Sequence, residues 1–157
     1  MDRHSTHAAS LGERTSLPTK SASARYEGLG QSGRGHVSTL SGVLKDSPYG
    51  FGARFGEEPG TNPEELLAAA HASCFTMALS FALAKAGHEN GTLDTTAKVT
   101  LEKDGDGFTI TKSALTLRAQ VDGIQRDEFD RIAQEAKQAC PLSKVIKAEI
   151  TLEYELA

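Results

Sequence analysis

Two cysteines are the residues of this chain best suited to redox chemistry. Cys74 lies inside an alanine-rich run, Leu66-Leu67-Ala68-Ala69-Ala70-His71-Ala72-Ser73-Cys74-Phe75-Thr76-Met77-Ala78-Leu79, and Cys140 stands just before Pro141. A thiolate can attack an electrophile and become a sulfenic acid, and a second thiol can then condense with it to a disulfide. A thiol in apolar surroundings has a raised pKa, however, and serves equally well as a small packing residue. Chemistry at Cys74 therefore needs a cation. Arg54, in the glycine-rich stretch before the run, and Arg34, in an earlier glycine-rich turn, are the two candidates. Glu64 could orient such an arginine through a bidentate pair. Ten residues separate Glu64 from Cys74, roughly 15 Å along a straight helix, so the two can hardly meet within one subunit. An antiparallel twin of the helix would bring Glu64 of one copy toward Cys74 of the other, which predicts a two-fold dimer.

Cys140 closes one helical pattern, and Pro141 can open another. A thiol at a helix start is favoured as thiolate and suits a resolving role; a small buried residue at a helix end is the competing reading. His71, three residues before Cys74, shares nearly the same helical face. It could act as a base, but on an apolar helix a hydrogen-bonded structural histidine is the preferred reading.

The elements that must position these residues follow from periodicity. Residues 1–19 are rich in Ser, Thr, His and charge without apolar period and read as a flexible extension; His4 and His7 could bind metal, but a disordered tail is the preferred reading. Residues 20–157 read as one domain. Ala22–Glu27, His36–Leu40 and Val43–Leu44, punctuated by glycines, fit a small antiparallel meander, and 46–60 reads as a long glycine-rich loop. Asn62 as N-cap, Pro63 at the first position and Glu64 and Glu65 in the first turn start a helix that ends at Gly87. Its run is apolar nearly all round, so it should be enclosed on every side, in part by a partner subunit. Thr92–Lys103 and Phe108–Val121 alternate with period two around an Asp104-Gly105-Asp106-Gly107 turn. An amphipathic helix over 127–139, with Phe129, Ala133, Ala136 and Cys140 on one stripe, precedes a strand over 148–156. The order of strands, helix, strands, helix and strand lacks βαβ alternation and predicts an α+β fold.

Composition narrows the function class. Seventeen basic against 21 acidic residues give a net charge of -4, so no nucleic-acid-binding face is expected. Two cysteines are too few for a secreted disulfide framework, and no charged start leads into an apolar signal core; a cytoplasmic location is expected. The Leu66–Ala86 run is long enough to span a membrane, but its polar His71, Ser73, Thr76 and Ser80 argue for burial in protein.

Thr61-Asn62-Pro63-Glu64-Glu65-Leu66, His71-Ala72-Ser73-Cys74-Phe75, Cys140-Pro141 with Val145, Ser41-Gly42-Val43-Leu44 and Pro48-Tyr49-Gly50-Phe51 together resemble the osmotically inducible protein C and organic hydroperoxide resistance (OsmC/Ohr) family, on the OsmC side. The likeness runs from about Lys20 to Leu156. It implies antiparallel sheets packed around a long central helix in an intertwined homodimer, with two active sites at the subunit interface. It also implies a thiol peroxidase acting on organic hydroperoxides and less efficiently on hydrogen peroxide, in oxidative or osmotic stress defence. By this resemblance Cys74 is the peroxidatic thiol, Cys140 the resolving one and Glu64 the arginine-orienting carboxylate. Arg54 matches the OsmC-like placement of the arginine and Arg34 the Ohr-like one. Phe51, Phe75 and Met77 would suit an alkyl chain. A dithiol, such as a lipoylated protein, would be the reductant, with no metal, haem or flavin. A redox sensor or binding protein that oxidises without turnover is the alternative, and two inert packing thiols a third.

Overall fold

Glycines and short polar residues cut the N-terminal third into short pieces in the computed structural model, which describes residues 15–157. Of the expected extension, residues 1–14, with His4 and His7, lie outside the described residues, and 15–19 are exposed without regular structure. Strands β1 (Ala22–Glu27), β2 (Arg34–Thr39) and β3 (Ser47–Tyr49) form an antiparallel sheet in that order. The expected strand at Val43–Leu44 is instead part of a turn, in which the Leu44 carbonyl accepts from the Thr39 amide at 2.9 Å. The expected loop over 46–60 holds β3 and a short helix, α1 (Phe51–Phe55). Pro48 is tolerated in β3 because this is an edge strand. Gly35 is required for packing: a Cβ there would meet the Tyr49 ring at 2.5 Å. β1 is exposed along its length, and Gly35 is the sole buried residue of the sheet. The sheet has no core of its own.

Local chemistry fixes the long helix α2 (Pro63–Lys85) at both ends. Asn62 caps it, its Oδ1 accepting from the Glu65 amide at 2.8 Å while its Nδ2 donates to the Ala53 carbonyl at 2.9 Å. At the other end Gly87 adopts φ 95°, and the His88 and Gly87 amides donate to the Leu83 and Ala84 carbonyls. That pattern satisfies carbonyls the last turn would leave open.

Strands β4 (Gly91–Asp104) and β5 (Gly107–Val121) pair as a long hairpin, with Gly105 at φ 59° in its turn. A register shift at Thr100/Leu101 leaves Thr111 as an extra residue in β5. The bulge switches the inward-facing set, so that Ser113, Leu115, Leu117, Ala119 and Val121 all face the core. Helix α3 (Arg126–Ala139) adds Phe129, Ile132, Ala133 and Ala136 to that core, one residue more than the expected stripe. Helix α4 (Pro141–Val145) follows at once, and β6 (Glu149–Leu156) then runs parallel to β5. The fold is α+β, but this sheet is mixed, which corrects the expectation of purely antiparallel sheets without a βαβ unit. The α3–α4 crossover returns the chain to the same end of β5, and a parallel neighbour requires such a crossover.

The subunit covers one stripe of α2. His71, Phe75, Leu79 and Leu83, spaced by four, are buried against the second sheet and α3. Ala69, Ser73, Met77 and Phe81, offset by half a turn, are exposed, Phe81 at 68%. Complete enclosure of this helix is therefore not achieved by one chain. By length and composition α2 could cross a membrane, yet it packs on β4, α3 and α4 as the core helix of the fold. Replacing Phe129, fully buried and 5.0 Å from the Tyr154 ring, by Ala should cost about 3–5 kcal/mol. Urea unfolding should show this as a lower midpoint at unchanged slope.

Candidate active site

Two pairs of side chains face one another in the subunit. Cys74, half-buried on α2, lies near Cys140, fully buried at the α3–α4 corner, and each thiol perturbs the other's titration. Both are free. Burial, the largest influence, and the neighbouring Cys140 push the Cys74 thiol up, against an opposing hydrogen bond from the Leu142 amide. Burial also pushes Cys140 up, but the Ser143 amide, the Cys74 side chain, the Ser143 hydroxyl and the Leu142 amide together outweigh it. The Cys140 thiol thus lies below the ordinary cysteine range and Cys74 above it.

The second pair is Arg54 and Glu64. Arg54 Nε donates to Glu64 Oε1 and Oε2 at 3.2 and 3.1 Å, and its Nη2 donates to Oε1 at 2.6 Å. The Asn62 cap bridges from α2 back to Ala53 of α1 and so holds the two elements in register for this fork. Glu64 also sits in the first turn of α2, where the helix dipole favours its charge. The Arg54 guanidinium stacks 5.3 Å from the Phe55 ring, which contacts Phe51 and Phe108. Tyr26, Tyr49, Phe51, Phe55 and Pro63 wall a cavity of ≈ 160 Å³ beside Arg54.

The subunit does not join the two pairs. No hydrogen bond links Arg54 or Glu64 to Cys74 among the described residues, and no arginine is among the groups that move the Cys74 pKa. Arg34, the other candidate cation, is exposed at the start of β2 and has no ion-pair partner among the described residues. Of the expected apolar contacts for an alkyl chain, Phe51 lines the cavity and Met77 is exposed. Phe75 is fully buried in the core and unavailable, because it lies on the same stripe of α2 as Leu79.

His71 proves to be structural in the sense expected: fully buried, with Nδ1 2.7 Å from Ser113 Oγ and Nε2 2.9 Å from Ser143 Oγ. Both serines were missed by sequence reasoning. Ser113 offers one signal, a polar residue at an inward position of β5, where a partner becomes obligatory.

A family described as OsmC-like protein matches residues 56–155. The peroxiredoxin OsmC of Escherichia coli is 55% identical over 137 residues, covering 87% of this chain and 96% of the relative. This chain belongs to the OsmC-like family. The organic hydroperoxide resistance protein OhrA of Bacillus subtilis is 33% identical over 64% of this chain and 70% of its own length. The protein therefore stands nearer to OsmC than to Ohr. The crystal structure of the Bacillus subtilis organic hydroperoxide resistance protein OhrB superposes with a TM-score of 0.65 at 29% identity, covering 90% of this chain and 100% of that one.

The buried histidine of this OsmC-like protein has a pH consequence. Burial lowers the His71 pKa from 6.5. Between that lowered value and 6.5 the unfolded chain binds a proton that the folded one refuses. Stability from this group is therefore full above pH 6.5 and declines as pH falls below it. Urea midpoints measured from pH 7.5 to 5.5 should fall, and His71→Gln should flatten that part of the slope even if its stability is lower throughout.

Proposed function

We propose that this OsmC-like protein is a thiol-dependent peroxidase that reduces organic hydroperoxides, and hydrogen peroxide less efficiently, through Cys74 and Cys140. The observation that carries the reading is the proximity of the two thiols in a chain 55% identical to a peroxiredoxin. The Cys74 thiolate attacks the peroxide O–O bond, releases an alcohol and becomes sulfenic acid. Cys140, already beside it, condenses with that sulfenic acid to a disulfide before over-oxidation can proceed. An external dithiol, such as a dihydrolipoyl group on a partner protein, then returns both thiols. The chemistry suits a reducing, cytoplasmic compartment.

Cys74 needs a cation that its own subunit does not bring to it. A second copy of the chain, packed in an antiparallel sense on the exposed Met77 and Phe81 face of α2, would supply the oriented Arg54–Glu64 pair. The same copy would cover the coreless first sheet, which favours an intertwined homodimer. Arg54 then lowers the Cys74 pKa and polarises the peroxide oxygen. The aromatic wall of Tyr49, Phe51 and Phe55 receives the alkyl group. Arg54, already oriented by Glu64, is preferred to Arg34 for this role.

Steady-state consumption of cumene hydroperoxide with a dithiol reductant tests the reading. Repeated turnover is expected; oxidation that stops after one equivalent would assign a sensor instead. Cys74→Ser should abolish turnover, and full activity in that variant overturns the assignment. Cys140→Ser should permit one oxidation to the sulfenic acid and leave it open to a second equivalent of peroxide, so that Cys74 sulfinic acid accumulates, seen by mass spectrometry. Arg54→Ala should slow turnover by about 10² or more, with Arg34→Ala near the wild-type rate.

A further inference from the structure

Each ring around the cavity beside Arg54 is held by a contact of its own. The Tyr26 hydroxyl donates to the Gly30 carbonyl at 3.1 Å, and its ring lies 6.0 Å from that of Tyr49. Tyr49 rests on Gly35, where a Cβ would meet its ring. Phe51 packs on Phe55 with 4.9 Å between centroids. These contacts all fall within residues 26–55. Phe55 has a further support from outside that stretch, the ring of Phe108, whose centroid lies 5.0 Å away.

Phe108 belongs to the second sheet, at the tip of the β4–β5 hairpin, where it pairs with Lys103. The turn before it is fixed: Gly105 takes φ 59°, and the Thr109 hydroxyl donates to Asp104 Oδ2 at 2.8 Å. The register shift at Thr100/Leu101 separates this tip from the core half of the hairpin. Such a bulge bends the strand that carries it and re-aims the side chains beyond. Phe108 takes no part in the core and is 54% exposed. Its ring partner among the described residues is Phe55, and tilted pairs of this kind attract beyond the area they bury. The cation of the site is held independently, by the fork of Arg54 on Glu64 and the bond from Asn62 to the Ala53 carbonyl. Loss of Phe108 would therefore free the Phe55 wall and leave the fork in place.

We infer that Phe108 is a positioning residue for substrate choice: by bracing Phe55 it keeps one wall of the cavity in place for the organic group of a hydroperoxide. The inference rests on the peroxidase reading, with Arg54 as the cation of the site. A cavity of ≈ 160 Å³ is about the size that takes one benzene-sized group. The substrate this wall favours has a compact organic part, such as a cumyl group. Hydrogen peroxide has no such part and gains nothing from the wall.

Steady-state kinetics of the full-length protein should show the ratio of kcat/KM for cumene hydroperoxide to that for hydrogen peroxide falling about fivefold in Phe108→Ala, the effect of losing one aromatic pair. The change should appear in KM for cumene hydroperoxide more than in kcat. Phe108→Tyr, which keeps the ring, should restore the ratio. A merely structural role would slow both peroxides alike, and an unchanged ratio overturns the inference. Cumyl alcohol, the product, gives a second readout that needs no turnover, through NMR of the Phe51 and Phe55 ring protons. Its Kd should weaken about fivefold in Phe108→Ala and recover in Phe108→Tyr. An unchanged Kd, or no binding to the wild type, overturns the inference as well. A protein that binds cumyl alcohol in this Phe108-dependent way but never turns over would defeat the peroxidase reading and uphold the role of Phe108, so the two failures are separate results.

Discussion

A helix of 23 residues with no polar side must be covered on more than one face, and this requirement governs the rest of the molecule. α2 buries the stripe His71, Phe75, Leu79 and Leu83 against its own chain and leaves Met77 and Phe81 outside. Apolar burial is worth roughly 25 cal/mol per Å², so an uncovered apolar face favours association. Cys74 sits at the boundary between the covered and uncovered faces, half-buried. One side of it is furnished by the α3–α4 corner of the same chain. The other side is left to whatever covers α2.

That division separates two kinds of chemistry. The intrachain side supplies a second sulfur, that of Cys140, at the start of α4 beside Leu142 and Ser143. Cation and carboxylate are built elsewhere, as a preformed fork of Arg54 on Glu64 stacked on Phe55. A guanidinium held at both ends in this way loses little freedom when it meets an anion. In the single subunit, burial raises the Cys74 pKa, and no arginine opposes it.

Much of this was legible in the residues because it is local. Asn62-Pro63-Glu64-Glu65 encodes the start of α2 through capping, and Gly87 encodes its end through a left-handed turn. The Arg54–Glu64 pairing follows from complementary charge close to a helix start. Even the bulge in β5 leaves a trace, because its apolar positions change phase between Ile110 and Leu115. What resisted reading depends on distance along the chain. The parallel return of β6 is decided by where a crossover lands, which period-two patterning does not encode. Ser113 and Ser143 gain meaning from a histidine 42 and 72 residues away. Half-covering of α2 was hidden for a related reason: a helix apolar nearly all round does not state which of its faces its own chain will take.

The meeting of α2 with the α3–α4 corner has a mechanical side as well. Cys74 and Cys140 are 66 positions apart in sequence, and the intervening chain includes the whole β4–β5 hairpin and α3. A bond between the two sulfurs closes a loop of that length, a constraint on the unfolded chain of about 4 kcal/mol by the loop-entropy relation. The oxidised protein is thereby a stapled one, tighter against unfolding and proteolysis than its reduced form. Each catalytic cycle would fasten and release the clasp across the core, so the protein would be at its most durable while it waits for its reductant.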